Sequence, residues 1–107
     1  MKLYASWDYD LRTELEVFLS SPAPKWQFWK DRIINIEIGP NGHTATTKRG
    51  RIFWILRRKD GTDWLQVTNP KYKNEATVIP LYFLEANHLK KLFLEWSAYS
   101  LLNRFWL

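Results

Sequence analysis

The stretch from Thr44 to Asn69 reads TATTKRGRIFWILRRKDGTDWLQVTN. Two β-rich runs flank Asp60-Gly61 within it, and Asp-Gly is a preferred pair for a two-residue type I′ hairpin turn. With those residues as the turn, Lys59 faces Thr62, Arg58 faces Asp63, Arg57 faces Trp64 and Leu56 faces Leu65. Side chains alternate faces along a strand. This register predicts Ile52, Trp54, Leu56, Leu65 and Val67 on a core face. Phe53, Ile55, Arg57, Lys59, Trp64, Gln66 and Thr68 then share the opposite face, a basic and aromatic surface open to solvent.

The same sheet extends upstream. Thr44–Lys48 begins a strand, and Arg49-Gly50 is either a tight turn or a bulge. As a turn it pairs Lys48 with Arg51, Thr46 with Phe53 and Ala45 with Trp54, with Ala45 and Thr47 on the core side. Ile33–Ile38 reads as a further strand, Ile34, Ile36 and Ile38 inward and Asn35 and Glu37 outward. Gly39-Pro40-Asn41-Gly42 is a turn by composition.

Helices bracket the strands. Asp10 is a candidate N-cap, and Leu11, Leu15, Phe18 and Leu19 follow at the spacing of one helical face. Pro22 and Pro24 end that helix. Trp26, Phe28 and Trp29 sit between lysines in a loop or helical turn, where they are expected to cap an edge of the core, the alternative being a stacking or insertion site. Residues 76–86 allow two readings: a helix with Pro80 at its first position, or a short edge strand over Ala76–Ile79 followed by a helix that begins near Asn87 as N-cap. Either way the chain ends in a long helix with two apolar stripes. One holds Leu89, Leu92, Phe93 and Trp96; the other holds Leu94, Ala98, Leu101, Leu102 and Phe105, which would pack on the N-terminal helix or on a second copy of the chain.

These elements predict an α+β fold, an antiparallel meander of three to four strands with an N-terminal and a long C-terminal helix on one face. The α-β-β-β-α order resembles that of double-stranded-RNA-binding domains and of some small toxin folds. Gly39-Pro40 followed by His43 is similar to a turn of those RNA-binding domains. Their lysine cluster opening the last helix has no counterpart in Lys90 and Lys91, which fall inside it.

A chain of 107 residues suits one domain, 1–107, with one core. Its 46% hydrophobic and 25% charged residues are those of a folded globular protein, and seven Trp are many for this length. The net charge of +5 is concentrated. Residues 44–73 carry Lys48, Arg49, Arg51, Arg57, Arg58, Lys59, Lys71 and Lys73 against Asp60 and Asp63; eight against two gives +6 and leaves −1 elsewhere. Without cysteine there is no disulfide, thiolate metal site or cysteine nucleophile. No targeting segment is visible, and the longest uncharged apolar run, Ala76–Leu84, is too short to span a bilayer. A cytoplasmic protein is expected.

Catalytic constellations are not apparent. His43 and His88 make no ligand pair, and Asp8, Asp10 and Glu14 are as well explained by helix capping as by a magnesium ion. No cofactor, no metal and no enzymatic activity are expected. The charge instead points to a polyanion. A nucleic acid would meet Lys48, Arg49, Arg51, Arg57, Lys59, Lys71 and Lys73 through its phosphates, with Phe53 and Trp64 as stacking planes. The Arg57–Trp64 pairing allows a cation–π contact, and Arg58–Asp63 a charge pair at the core rim. The alternative is a protein-interaction module, an adaptor or an inhibitor of a larger acidic protein. It would use the same face or the C-terminal helix, which also allows a homodimer.

Overall fold

The computed structural model describes residues 11–20, 29–69 and 76–103. Helix α1 (Leu11–Ser20) is followed by strands β1 (Ile33–Gly39), β2 (Gly42–Thr47), β3 (Ile52–Arg57), β4 (Asp63–Thr68) and β5 (Ala76–Leu81), then by helix α2 (Phe83–Asn103). The strands form one antiparallel sheet in the order β1-β2-β3-β4-β5. The fold is thus α+β, with five strands where the sequence suggested three to four. Ala76–Leu81 supplies the additional strand, and the strand count parts company with the α-β-β-β-α order.

Both helices cover one face. From α1, Leu15 and Leu19 are buried, with Leu11 and Phe18 packed against them. From α2, the expected stripe of Leu89, Leu92 and Phe93 is buried together with Ala86, and Trp96 is partly covered. Beneath them the sheet contributes Ile33, Ala45, Phe53, Ile55, Leu65 and Val67. Phe18 meets Phe53 edge-on, with centroids 5.9 Å apart. Burial of each large side chain of this kind contributes about 1.5–3 kcal/mol.

Phe53 and Ile55, expected on the open face, are 0% exposed and lie at the centre of this core. Trp54 and Leu56 take the opposite side of the sheet. A one-residue slip in each of two hairpins is the cause. Arg57 pairs with Asp63 and Leu56 with Trp64, not with Trp64 and Leu65. Ala45 pairs with Phe53 and Thr46 with Ile52, not with Trp54 and Phe53. A slip of one residue turns every side chain of a strand over relative to its neighbour. Because both slips involve β3, only β3 is inverted: Ala45, Thr47, Leu65 and Val67 remain on the core side as expected.

The turns explain the slips. At the β3–β4 end the Arg58 N–H donates to the Thr62 carbonyl (2.8 Å) and the Gly61 N–H to the Arg58 carbonyl (2.9 Å). This is a three-residue loop, a turn through Lys59-Asp60 followed by Gly61 in the left-handed region at φ 88°. The Asp60 carboxylate reinforces it by accepting the Thr62 N–H and hydroxyl. These bonds hold the Asp60 carboxyl below its ordinary pKa. The β2–β3 loop repeats the geometry: the Thr47 N–H donates to the Arg51 carbonyl, the Gly50 N–H to the Thr47 carbonyl, and Gly50 has φ 91°. A type I′ turn would instead have put Asp60 or Arg49 at positive φ, a cost that glycine escapes and Asp bears more easily than Arg. Among the described residues no side-chain-bearing residue has positive φ.

Smaller corrections concern the edges. In β1, Ile36 packs on the core, whereas Ile38 is 45% exposed near the strand end and Ile34 stands exposed beside an irregularity between Ile33 and Asn35. Pro80 lies within edge strand β5, opposite Trp64, where a missing N–H is tolerated. Helix α2 begins at neither Pro80 nor Asn87. The Glu85 carboxylate accepts the Tyr82 N–H at 3.0 Å, half of a capping box that starts the helix at Phe83. On the second stripe of α2, Leu94 and Ala98 are exposed rather than packed on α1. The side chains of Leu101, Leu102 and Phe105 lie outside the described residues, as do Asp8, Asp10, Pro22, Pro24, Trp26 and Phe28.

Candidate functional site

With both helices on one side, no described helix or strand packs over the other face of the sheet. Alternation and register place Asn35 and Glu37 of β1 there, with Thr44 and Thr46 of β2. Ile52, Trp54 and Leu56 of β3 follow, then Trp64, Gln66 and Thr68 of β4 and Ala76, Val78 and Pro80 of β5. Glu37 is the sole charge at these outward strand positions. The open face therefore joins an apolar and aromatic patch on β3, β4 and β5 to polar residues on β1 and β2, and it is not basic.

Its two tryptophans are held in place. An added Cβ on Gly42 would lie 2.8 Å from Trp54 Nε1 and 2.2 Å from the Ile55 carbonyl oxygen, so the Trp54 indole runs tightly past a bare backbone. Trp64 donates its Nε1–H to the Thr62 hydroxyl at 2.8 Å. The Arg58 guanidinium lies over the Trp64 ring, 4.0 Å from its centroid. A cation on an aromatic face was expected here, but from Arg57; the slipped register passes the role to Arg58. Conversely, the rim charge pair expected of Arg58 belongs to Arg57, whose Nε and Nη2 donate to the two Asp63 oxygens at 3.0 and 3.3 Å. The Asp63 side chain is 2% exposed and that of Arg57 49%. Hydrogen bonding to Asp63 raises the Arg57 pKa above its ordinary value.

The predicted site residues are dispersed. Phe53 is core. Arg51 is on the helix side, paired through both guanidinium nitrogens with the two oxygens of Glu14 on α1 and stacked over Phe53 at 5.0 Å. That pairing also occupies Glu14, one of the carboxylates considered for magnesium; among the described residues no cluster of metal ligands forms. Arg57 also faces the helices, 6.0 Å from the Phe83 ring of α2. Lys48 and Arg49 occupy the β2–β3 loop and Lys59 the β3–β4 loop, at opposite ends of the sheet. Trp64 alone sits within the open face, and Lys71 and Lys73 lie outside the described residues.

The β2–β3 end is nonetheless cationic. The Asp31 carboxylate accepts the N–H groups of Arg32 and Arg49, the Lys48 N–H donates to the Arg32 carbonyl, and Arg49 Nη2 donates to the Trp29 carbonyl. Lys30, Arg32, Lys48 and Arg49 are thereby gathered near a 53% exposed Trp29. Trp29 is thus a surface residue rather than a cap on the core. Ile52, Trp54, Leu56, Val78 and Pro80 were missed as surface residues. The signal that would have found the first three is the pair of loops Lys48-Arg49-Gly50 and Lys59-Asp60-Gly61, each with glycine third.

The fold and this face define an α+β domain with a one-sided sheet. Comparison with protein-family models, curated proteins and solved structures returned no match. No helix among the described residues is long and apolar enough to cross a membrane.

Proposed function

We propose that this chain is a protein-interaction module that uses the open face of its sheet to bind a partner with an apolar patch and an acidic rim. The observation that carries the proposal is the makeup of that face: Ile52, Trp54, Leu56, Trp64 and Val78 stand outward with a single strand-borne charge, Glu37. Contiguous apolar surface of this sort is costly to leave in water and usually marks a contact surface. Its composition, tryptophan with a stacked arginine and few other charges, is that of interface hot spots. Five strands of about six residues span roughly 20 Å each way, which suits a small interface. Lys59, Lys48 and Arg49 flank the face at its two ends, a placement that favours an acidic rim on the partner. The proposal takes the protein as cytoplasmic and as a binding protein without catalytic chemistry.

Substitution at exposed outward positions tests it. Ile52→Glu and Val78→Glu should leave the fold intact and abolish retention of a partner that survives nuclease treatment. Lys48→Glu with Arg49→Glu should only slow its association. Retention that is indifferent to Ile52→Glu and Val78→Glu would refute the proposal, as would a partner that proves to be a second copy docked through Leu94 and Tyr99, both exposed on α2.

A second reading keeps nucleic acid as the ligand, and the gathering of Lys30, Arg32, Lys48 and Arg49 beside Trp29 supports it. It requires log K to fall with log salt by roughly 0.9 per phosphate contacted on duplex DNA. Binding would then fail on Lys48→Glu with Arg49→Glu and survive Ile52→Glu.

A further inference from the structure

On the helix side, at the β3–β4 end of the sheet, a cavity of about 330 Å³ opens between the β1–β2 turn and α2. Pro40, Asn41, His43, Ile55, Arg57 and Lys90 are among the residues lining it. None of its lining residues is acidic. Among the described residues the nearby carboxylate is Asp63, shared between Arg57 and Lys90, whose Nζ is 3.9 Å from Oδ1. Two cations against one carboxylate leave this corner at +1. Asp63 takes Nε and Nη2 of Arg57, which leaves the Nη1 hydrogens to serve another acceptor. His43 completes the wall. Its ring packs edge-on against Phe93 with centroids 5.4 Å apart, and its buried Nδ1 has no hydrogen-bond partner among the described residues.

We propose that this cavity binds a small oxyanion of the phosphate or sulfate type, held between the Arg57 guanidinium and the Lys90 ammonium beside the His43 ring. Two cationic donors arriving from β3 and α2 suit a tetrahedral anion, which presents acceptor oxygens in several directions. The volume is at the lower end for ligand sites and leaves room for a small organic group carrying the anion. The cavity opens on the helix side of the sheet, across the backbone of Gly42 from the Trp54 indole, so it stands apart from the outward face of the protein-binding proposal.

Histidine titration reads this site directly. Burial and then the charge of Lys90 hold the His43 pKa below its ordinary value. The charged groups facing it are Lys90 from α2, Arg57 from β3 and Asp63 from β4. A bound anion favours the imidazolium, so it raises the His43 pKa, and affinity for sulfate rises as the pH falls through that value. The chain's other histidine, His88, is half-exposed with Nε2 3.7 Å from Glu16, and serves as an internal control.

In the imidazole NMR spectra, titration of the intact chain with sodium sulfate or inorganic phosphate should shift His43 saturably and raise its pKa. His88 should move no more than it does in sodium chloride of matched ionic strength. Lys90→Gln should weaken sulfate binding about tenfold or more. The proposal fails if His43 and His88 move together, if the His43 shift does not saturate, or if Lys90→Gln binds as the parent does. Equal binding of acetate would overturn the assignment to a tetrahedral oxyanion. The His43 titration of the unmodified chain decides the matter even if the variant does not fold.

Discussion

Gly42 and Gly61 both have positive φ, yet they differ in what surrounds them. At Gly61 an added Cβ meets open space, and the cost of a side chain is the left-handed backbone alone. At Gly42 the same atom would strike the Ile55 carbonyl oxygen at 2.2 Å, which backbone cannot yield without moving a strand. Gly61→Ala should therefore cost about 1–2 kcal/mol, and Gly42→Ala more than about 3 kcal/mol, both read by urea denaturation. His43 supplies a second expectation at this scale. Its pKa in the folded chain is lowered from the ordinary 6.5, so the unfolded chain binds the proton more readily. Its contribution to stability is complete above that value and shrinks as the pH falls below it. His43→Phe should flatten the decline of thermal stability between about pH 7 and 5. The buried Nδ1 gave no sign in the sequence, where His43 is an isolated histidine beside a turn.

Strand β3 is the element on which the whole assignment of faces turns. Phe53 is 0% exposed and Trp54 only half-buried, although tryptophan is the larger ring. Phe53→Ala should cost about 3–5 kcal/mol through the cavity it opens. Ile52→Glu, at a position 38% exposed, should change stability by less than about 1 kcal/mol. The opposite order in chemical denaturation would restore the face first expected from the Asp60-Gly61 turn. Helix α1 is fastened to this strand by Glu14, whose side chain is 13% exposed and bonded to both terminal nitrogens of Arg51. Glu14→Ala removes both of those bonds, and should cost about 1–3 kcal/mol. Amide exchange should then quicken in α1 before it does in β3 and β4. The sequence showed α1 clearly, because Leu11, Leu15, Phe18 and Leu19 repeat at helical spacing. It could not show that Arg51 reaches it, since that contact spans 37 residues.

At the scale of the fold, placing both helices on one side of a five-stranded sheet leaves no described helix or strand over the other side. The function proposed for it separates from nucleic-acid binding by salt. Retention through Ile52, Trp54 and Val78 should persist at high ionic strength, whereas phosphate contacts by Lys48 and Arg49 should not. A pull-down repeated across salt, with nuclease, distinguishes them. Hydrophobic spacing, strand propensity and glycine positions were enough to reveal an α+β chain with its helices outside the strands and most of its core. Those are local properties, each readable within a few residues. The side of the sheet reached by Trp54, Arg51 and Arg57 was decided by the folded structure. Asp-Gly and Arg-Gly each fit both a two- and a three-residue loop, and the choice rests on backbone φ at Asp60 and Arg49 together with the packing of Phe53 beneath the helices. One residue of loop length inverts a strand, so a local ambiguity became a global difference that only tertiary contacts resolve.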